Sequence, residues 1–295
     1  MGAFGYTQSL HGKEDRMPAN PESTLRVALL QRAVVDGQPQ ANMRATEDDV
    51  RRAAEAGAQL LLLPELWTTG FVLEHASRLA EPLPEGSTVQ QWHAWAQRHR
   101  LYIVGSLLER DQQGRIYNTA LCVGPEGPVG TPYRKIHLFG PMQEDRYLSP
   151  GCRPVVWSLP WGPVGVGVCY DLRFPELWRT YARHGVALFL LVAAWPQARR
   201  DHWDLLLRAR AVDNLAYMVA VNRVGPGRFG PYGGGSAVVD PWGRVEVQAG
   251  TDATLLLTTL DLRRVQEARA RLPVLQDVRP SCYAIPELPH EDDEG

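Results

Sequence analysis

The chain has 295 residues, 44% of them hydrophobic and 22% charged, with a formal net charge of −2. This is an ordinary globular composition, and the near-neutral charge gives no reason to expect a nucleic-acid partner. No apolar run is long enough to span a membrane, and the four cysteines, at 122, 152, 169 and 282, form neither a Cys-x-x-Cys pair nor a disulfide framework. A reducing, cytoplasmic setting fits this cysteine usage best.

Residues 1–24 are polar, lack the basic start and apolar middle of a signal peptide, and read as a disordered leader. Residues 25–31 form a short apolar strand, and Asn42 to Gly57 reads as a helix ending at its glycine. The continuous apolar run from Gln59 to Leu63 predicts a fully buried strand that stops at Pro64-Glu65. A helix is expected over Thr88 to His99 and a strand over Leu101 to Leu108. After a turn at Asp111 to Gly114, a second strand runs from Ile116 to Val123. Val129 to Tyr133 reads as a further strand leading to Lys135, followed by a long irregular segment to Gly151.

Alternation from Val164 to Val168 predicts a strand that ends at Cys169, with a helix over Phe174 to His184. Val186 to Ala193 is an apolar strand closed by Ala194-Trp195-Pro196. Arg199 to Asn214 is helical and Tyr217 to Val221 is a strand. The Gly233-Gly-Gly-Ser236 run falls short of a phosphate-loop pattern and reads as a turn. The strand Ala237 to Asp240, a hairpin through Trp242, a strand over Ala253 to Leu260 and a helix over Leu262 to Arg271 complete the pattern. Interleaved strands and helices with several hairpins imply mixed sheets with helices packed outside. One domain, residues 25–275, and a tail, 276–295, are the simplest division.

Three residues with chemistry stand at strand ends: Glu65, Lys135 and Cys169. Sites in α/β proteins form where strand ends converge. A thiol at a strand-to-helix turn is exposed on one side and faces free helix N–H groups, which favour the thiolate. The alternative for Cys169 is a small hydrophobe in a core; for Glu65 a helix cap, and for Lys135 a surface charge. Taken together they match a nucleophile, a carboxylate base for its proton, and an ammonium for the oxyanion of an attacked carbonyl.

The sequence resembles the nitrilase, or carbon–nitrogen hydrolase, superfamily over about residues 25–270. The matching motifs are Leu63-Pro64-Glu65, the run Tyr133-Arg134-Lys135-Ile136-His137-Leu138-Phe139, and Val168-Cys169-Tyr170-Asp171-Leu172-Arg173-Phe174-Pro175-Glu176. Ala194-Trp195-Pro196, the run Arg208 to Asn214, and Asp240-Pro-Trp-Gly243 add to them. The resemblance implies an α-β-β-α four-layer sandwich, two mixed sheets flanked by helices, in subunits that pair as a homodimer or larger homo-oligomer. It implies Glu65 as general base, Lys135 as oxyanion stabiliser, Cys169 as nucleophile, Glu144 as an assisting glutamate and the Tyr170 N–H as a second oxyanion donor. No metal or organic cofactor is called for.

Tyr170-Asp171 after the nucleophile resembles the amidase branches rather than true nitrilases, and Cys-Tyr-Asp-Leu-Arg-Phe-Pro resembles the ω-amidases. That likeness implies a small linear amide as substrate, with Arg173 near its carboxylate. The other reading of Arg173 is a structural pair with Glu176. Trp195 is expected as an apolar pocket wall, against simple core packing. An N-carbamoyl amino-acid or N-carbamoylputrescine hydrolase and a deaminated-glutathione amidase are the enzymatic alternatives; a non-catalytic carboxylate- or partner-binding scaffold is the other. His137 reads as a satisfied structural histidine, and the scattered tryptophans as core or dimer packing.

Overall fold

A computed structural model describes residues 23–279 and Cys282. Most of the expected leader and the acidic end of the tail lie outside the described residues. At the boundary of the leader, Thr24 already belongs to the first strand.

The chain runs β1 (Thr24–Gln31), α1 (Pro39–Glu55), β2 (Leu60–Leu62), α2 (Ala76–Leu79), α3 (Ser87–His99), β3 (Tyr102–Arg110), β4 (Ile116–Gly124), β5 (Gly127–Pro128) and β6 (Tyr133–Arg134). It continues through α4 (Glu144–Tyr147), β7 (Val156–Leu159), β8 (Gly162–Val168), α5 (Pro175–Arg183), β9 (Leu188–Ala193), α6 (Arg200–Asn214) and β10 (Tyr217–Asn222). The last elements are β11 (Val224–Gly225), β12 (Tyr232–Gly233), β13 (Ala237–Val239), β14 (Val245–Gln248), β15 (Thr254–Asp261) and α7 (Arg263–Arg271). One sheet has the order β15-β1-β2-β3-β4-β5, with β6 also on β4; the other has the order β14-β13-β10-β9-β8-β7. In each, parallel pairs occupy the centre and antiparallel strands the flanks.

The period-2 geometry of strands explains the layers. In β1 and β2, Leu25, Val27, Leu29, Leu60 and Leu62 enter the cluster between the sheets. Their neighbours Ala28, Leu30 and Leu61 enter a second cluster with Val50 of α1 and Trp92 and Trp95 of α3. The run Leu60-Leu-Leu-Leu63 is therefore apolar on both faces because both faces are covered. Across the interface β1 packs on β10, β3 on β9 and β4 on β8.

Strand β8 faces α5 with glycine and the first sheet with valine. A Cβ at Gly165 would sit 2.6 Å from the Tyr181 ring, and one at Gly167 would sit 2.8 Å from the Trp178 ring. The two aromatics thus lie directly on the strand, where Tyr181 donates to the Val166 carbonyl at 2.8 Å. With α1 and α3 outside one sheet and α5 and α6 outside the other, the architecture is the four-layer α-β-β-α sandwich. Trp67, Trp92, Trp95, Trp157, Trp178 and Trp203 are all in the core.

The differences from expectation are local. Val129 to Tyr133 is not a strand: Gly130 has φ +60° and Pro132 has no N–H to give, so pairing resumes only at Tyr133. The segment from Phe139 to Gly151 is not wholly irregular, since it holds a 3₁₀ turn at Gly140–Met142 and then α4. Helix α1 starts three residues early because Pro39 pre-sets its first turn. Among the described residues no helix is long and apolar enough to cross a membrane.

Candidate active site

The parallel strands of the two sheets end on the same side of the sandwich. β2 delivers Glu65, β8 delivers Cys169, β9 delivers Ala194 and Trp195, and β10 delivers Asn222. Lys135 follows the two-residue strand β6 and is fixed by its N–H to the Asn118 carbonyl at 2.8 Å.

Lys135 Nζ donates to Glu65 Oε1 at 2.8 Å and to Glu144 Oε1 at 2.7 Å. All three side chains are at most 1% exposed. Glu65 also accepts from Asn118 Nδ2 on Oε1 at 2.8 Å and from the Ala194 N–H on Oε2 at 2.9 Å. Glu144 opens α4 after Gln143 at φ +62°, and its Oε2 accepts the Phe139 N–H at 2.8 Å. Burial lowers the Lys135 pKa, but Glu144 and then Glu65 outweigh it, so the group is held well above its ordinary range and stays charged. Burial, with Glu65 adding to it, pushes Glu144 up to about 7 against the pull of Lys135. Two carboxylates on one ammonium cannot both ionise freely.

Cys169 begins a five-residue 3₁₀ turn at φ +47°, a backbone conformation that costs a non-glycine residue about 1 kcal/mol or more. Asp171 holds this turn. Its Oδ2 accepts the Val168 N–H at 2.9 Å and the Tyr133 hydroxyl at 2.8 Å. Its Oδ1 accepts the His137 N–H at 3.1 Å and faces His137 Nδ1 at 2.7 Å. The same carboxylate therefore ties the cysteine turn to both flanks of Lys135. Helix α5 secures it from outside, with Trp178 Nε1 donating to the Asp171 carbonyl at 3.0 Å. His137 also stacks on Phe174 with ring centroids 3.5 Å apart.

One expectation for Cys169 is corrected. The residue is only 5% exposed rather than open on one side. Burial first, and then Glu65, push its thiol well above the ordinary range; Lys135 pulls the other way without prevailing. Burial thus works against the thiolate that helix-end N–H groups are expected to favour.

A narrow cleft opens on Cys169 and is lined by Phe139, Tyr170, Arg173, Trp195, Pro196 and Arg199. The Arg173 guanidinium lies 4.8 Å from the Trp195 ring and donates to His202 Nδ1 at 3.2 Å. It has no carboxylate partner among the described residues, Glu176 included. Trp195 is both wall and core, since its ring packs on Trp203 at 5.6 Å. Asn222 braces it by accepting the Trp195 N–H at 2.6 Å.

Asn118, Asp171, Asn222 and Arg199 went unassigned in the sequence. A polar residue inside the apolar strand Ile116 to Val123 marks Asn118, and one closing the strand Tyr217 to Val221 marks Asn222. Asp171 sits inside a motif already singled out. Arg199 carries no mark, standing beside Arg200 at a charged helix start.

A buried carboxylate, ammonium and thiol at the strand ends of an α-β-β-α sandwich define a cysteine-dependent hydrolase of carbon–nitrogen bonds. Residues 26–270 match the carbon–nitrogen hydrolase family. The chain is 34% identical to the 2-oxoglutaramate amidase of Bacillus subtilis (strain 168) over 87% of its length and 98% of that protein. It is 35% identical to omega-amidase NIT2 of Mus musculus, over 89% and 98% of the two chains. A Nesterenkonia sp. AN1 amidase, solved with the acetamide moiety of fluoroacetamide on its active-site cysteine, superposes with a TM-score of 0.79 at 30% identity, covering 90% of this chain and 97% of that one. This chain belongs to the carbon–nitrogen hydrolase family.

Proposed function

We propose that the enzyme hydrolyses small linear ω-amides of the 2-oxoglutaramate type to the carboxylate and ammonia, with Cys169 as nucleophile. The observation that carries the substrate class is Arg173, a guanidinium in the cleft of Cys169 that no carboxylate among the described residues neutralises. A substrate carboxylate supplies the missing partner through parallel N–H···O bonds. The names of the relatives support the same substrate class.

Cys169 Sγ attacks the amide carbon while Glu65 takes the thiol proton. Removing that proton only as the C–S bond forms suits a thiol whose resting pKa is raised. Lys135 Nζ and the Tyr170 N–H receive the oxyanion. Glu65 passes its proton to the departing nitrogen, and the C–N bond breaks to leave ammonia and a Cys169 thioester. Water, deprotonated by Glu65, then attacks the thioester. The acyl C–S bond breaks, the proton returns to sulfur and the carboxylate leaves. Glu144 holds Lys135 in place through both half-reactions.

An ammonia-release assay over 2-oxoglutaramate, succinamate, glutamine, a carbamoyl amino acid and a simple nitrile tests the assignment. Turnover is expected to be highest on 2-oxoglutaramate and absent in Cys169→Ala. Carbon dioxide released with ammonia from the carbamoyl compound, without turnover of the ω-amides, would replace this reading with a carbamoyl hydrolase.

The subunits are proposed to pair through the α6 layer. Leu205, Val212 and Trp242 are 67%, 45% and 39% exposed there, and Val212 packs against the Gly243 turn beside Trp242. A monomer in sedimentation velocity at micromolar concentration would count against that pairing.

A further inference from the structure

The cleft at Cys169 has two charged walls, and both are cationic: Arg173 and Arg199. Arg199 is fixed through its backbone, with its carbonyl accepting Trp195 Nε1 at 2.7 Å and its N–H donating to the Pro196 carbonyl at 3.1 Å. Its guanidinium lies 5.5 Å from the Phe139 ring and has no hydrogen-bond or ion-pair partner among the described residues. Several other half-buried arginines are paired, although Arg179 on α5 is not, its Nη1 being buried without a partner among the described residues. Arg200, the residue after Arg199, binds Asp204 at 3.0 Å, and Arg32 binds Asp49 at 3.0 Å. Two guanidiniums without an acid partner, in a cleft with no carboxylate among its lining residues, repel each other and lose hydration, which is favourable only when an anionic ligand completes them.

We infer that Arg199 is the second guanidinium of the acyl pocket and that, with Arg173, it brackets the 2-oxo acid end of the substrate. This rests on the ω-amide reading above. Arg173 takes the carboxylate, and Arg199 donates to the neighbouring 2-oxo oxygen. Trp195 coordinates the pair, with its ring beneath one guanidinium and its N–H pinning the backbone of the other. The arrangement separates 2-oxo from 2-amino amides. A glutamine bound with its amide at Cys169 places an ammonium where Arg199 offers a second positive charge, so the same group that holds the ketone repels the amine.

The test measures protection of Cys169 from iodoacetamide in the full-length enzyme and in Arg199→Met and Arg199→Lys. The protectants are 2-oxoglutarate and glutarate, which differ only in the 2-oxo group, and each variant is referred to its own unprotected rate. In wild type 2-oxoglutarate is expected to protect at about tenfold lower concentration than glutarate, the size of one charge-assisted hydrogen bond. Arg199→Met abolishes that preference and Arg199→Lys restores part of it. In parallel, the kcat/KM ratio of 2-oxoglutaramate to glutaramate falls about tenfold in Arg199→Met, and discrimination against glutamine narrows. An unchanged 2-oxo preference in Arg199→Met overturns the inference and leaves Arg199 a solvated cation. Retained 2-oxo-selective protection with no ω-amide turnover in wild type overturns the substrate reading and leaves the bracket standing.

Discussion

The reaction centre and the cleft wall that faces it are built on opposite terms. At the centre, Glu65, Lys135 and Glu144 are withdrawn from water, and every charged atom meets a partner of the chain. Beside them the Asn118 Oδ1 is buried without a partner among the described residues. On the wall, Arg173 and Arg199 are half-buried, lean on aromatic rings and have no carboxylate partner among the described residues. Buried charge is tolerable only in a closed network, so the groups that handle protons must be preorganised before substrate arrives. The wall is left electrostatically incomplete, and the substrate completes it. Chemistry shared across a family belongs in the first region; choice of acyl group belongs in the second.

The sharpest way to break this contrast is Lys135→Met. It leaves Glu65 and Glu144 facing each other without a cation, and removing one partner of a buried pair costs about 3–5 kcal/mol. On the proposed mechanism it also removes an oxyanion donor, which lowers kcat by about 10²–10³-fold. The two carboxyls relieve their repulsion by taking up a proton, so the stability deficit, read as the shift in thermal midpoint against wild type, is expected to be larger at pH 8 than at pH 5. A variant as stable as wild type at pH 8 would mean that the centre is not the closed network described here.

Glu144 gives an intermediate effect with a defined sign. Its folded pKa is raised from 4.5 to about 7, so between those values the native state holds a proton that the unfolded chain has lost. Stability contributed by this group is therefore complete below pH 4.5 and is lost as pH rises through 7. Activity runs the other way: the ionised Glu144 strengthens the negative surroundings that let Glu65 draw the thiol proton. The expected kcat/KM profile on 2-oxoglutaramate falls on the acid side with a midpoint near 7. Glu144→Gln is expected to lower the plateau and remove that limb. Persistence of the same limb in Glu144→Gln would assign it to another group.

The two regions were unequally legible in the sequence. Glu65 and Cys169 stand out because continuous apolar strands stop abruptly at them. The strand expected just ahead of Lys135, Val129 to Tyr133, does not form, and only the motif around the lysine points to the right residue. The burial of Cys169 is a tertiary effect. Strand β8 alone leaves its end open, and it is the opposing sheet and the segment carrying Phe139 that close over it. Asn118 and Asp171 act on partners 53 and 34–38 residues away, beyond any local periodicity. Arg199 and Arg200 are identical as letters, and only the fold gives one of them Asp204 and the other the cleft.

The smallest expected effect lies on the wall, where Arg173→Ala should sharpen the comparison without touching the centre. The Arg173 carbonyl, which accepts Arg210 Nη2 at 3.1 Å, survives the change, so the cysteine turn keeps its support. Stability should move by no more than about 0.5 kcal/mol, as for other substitutions outside the core. Losing charge-assisted bonds worth about 1.5–3 kcal/mol raises KM for 2-oxoglutaramate by roughly ten- to a hundredfold. A neutral amide such as propionamide never made those bonds, and its KM should stay within about threefold. The split matters more than the size. An equal loss on both amides would show that Arg173 supports the turn that carries Cys169, and the division between a finished reaction centre and an unfinished wall would then fail at the residue joining them.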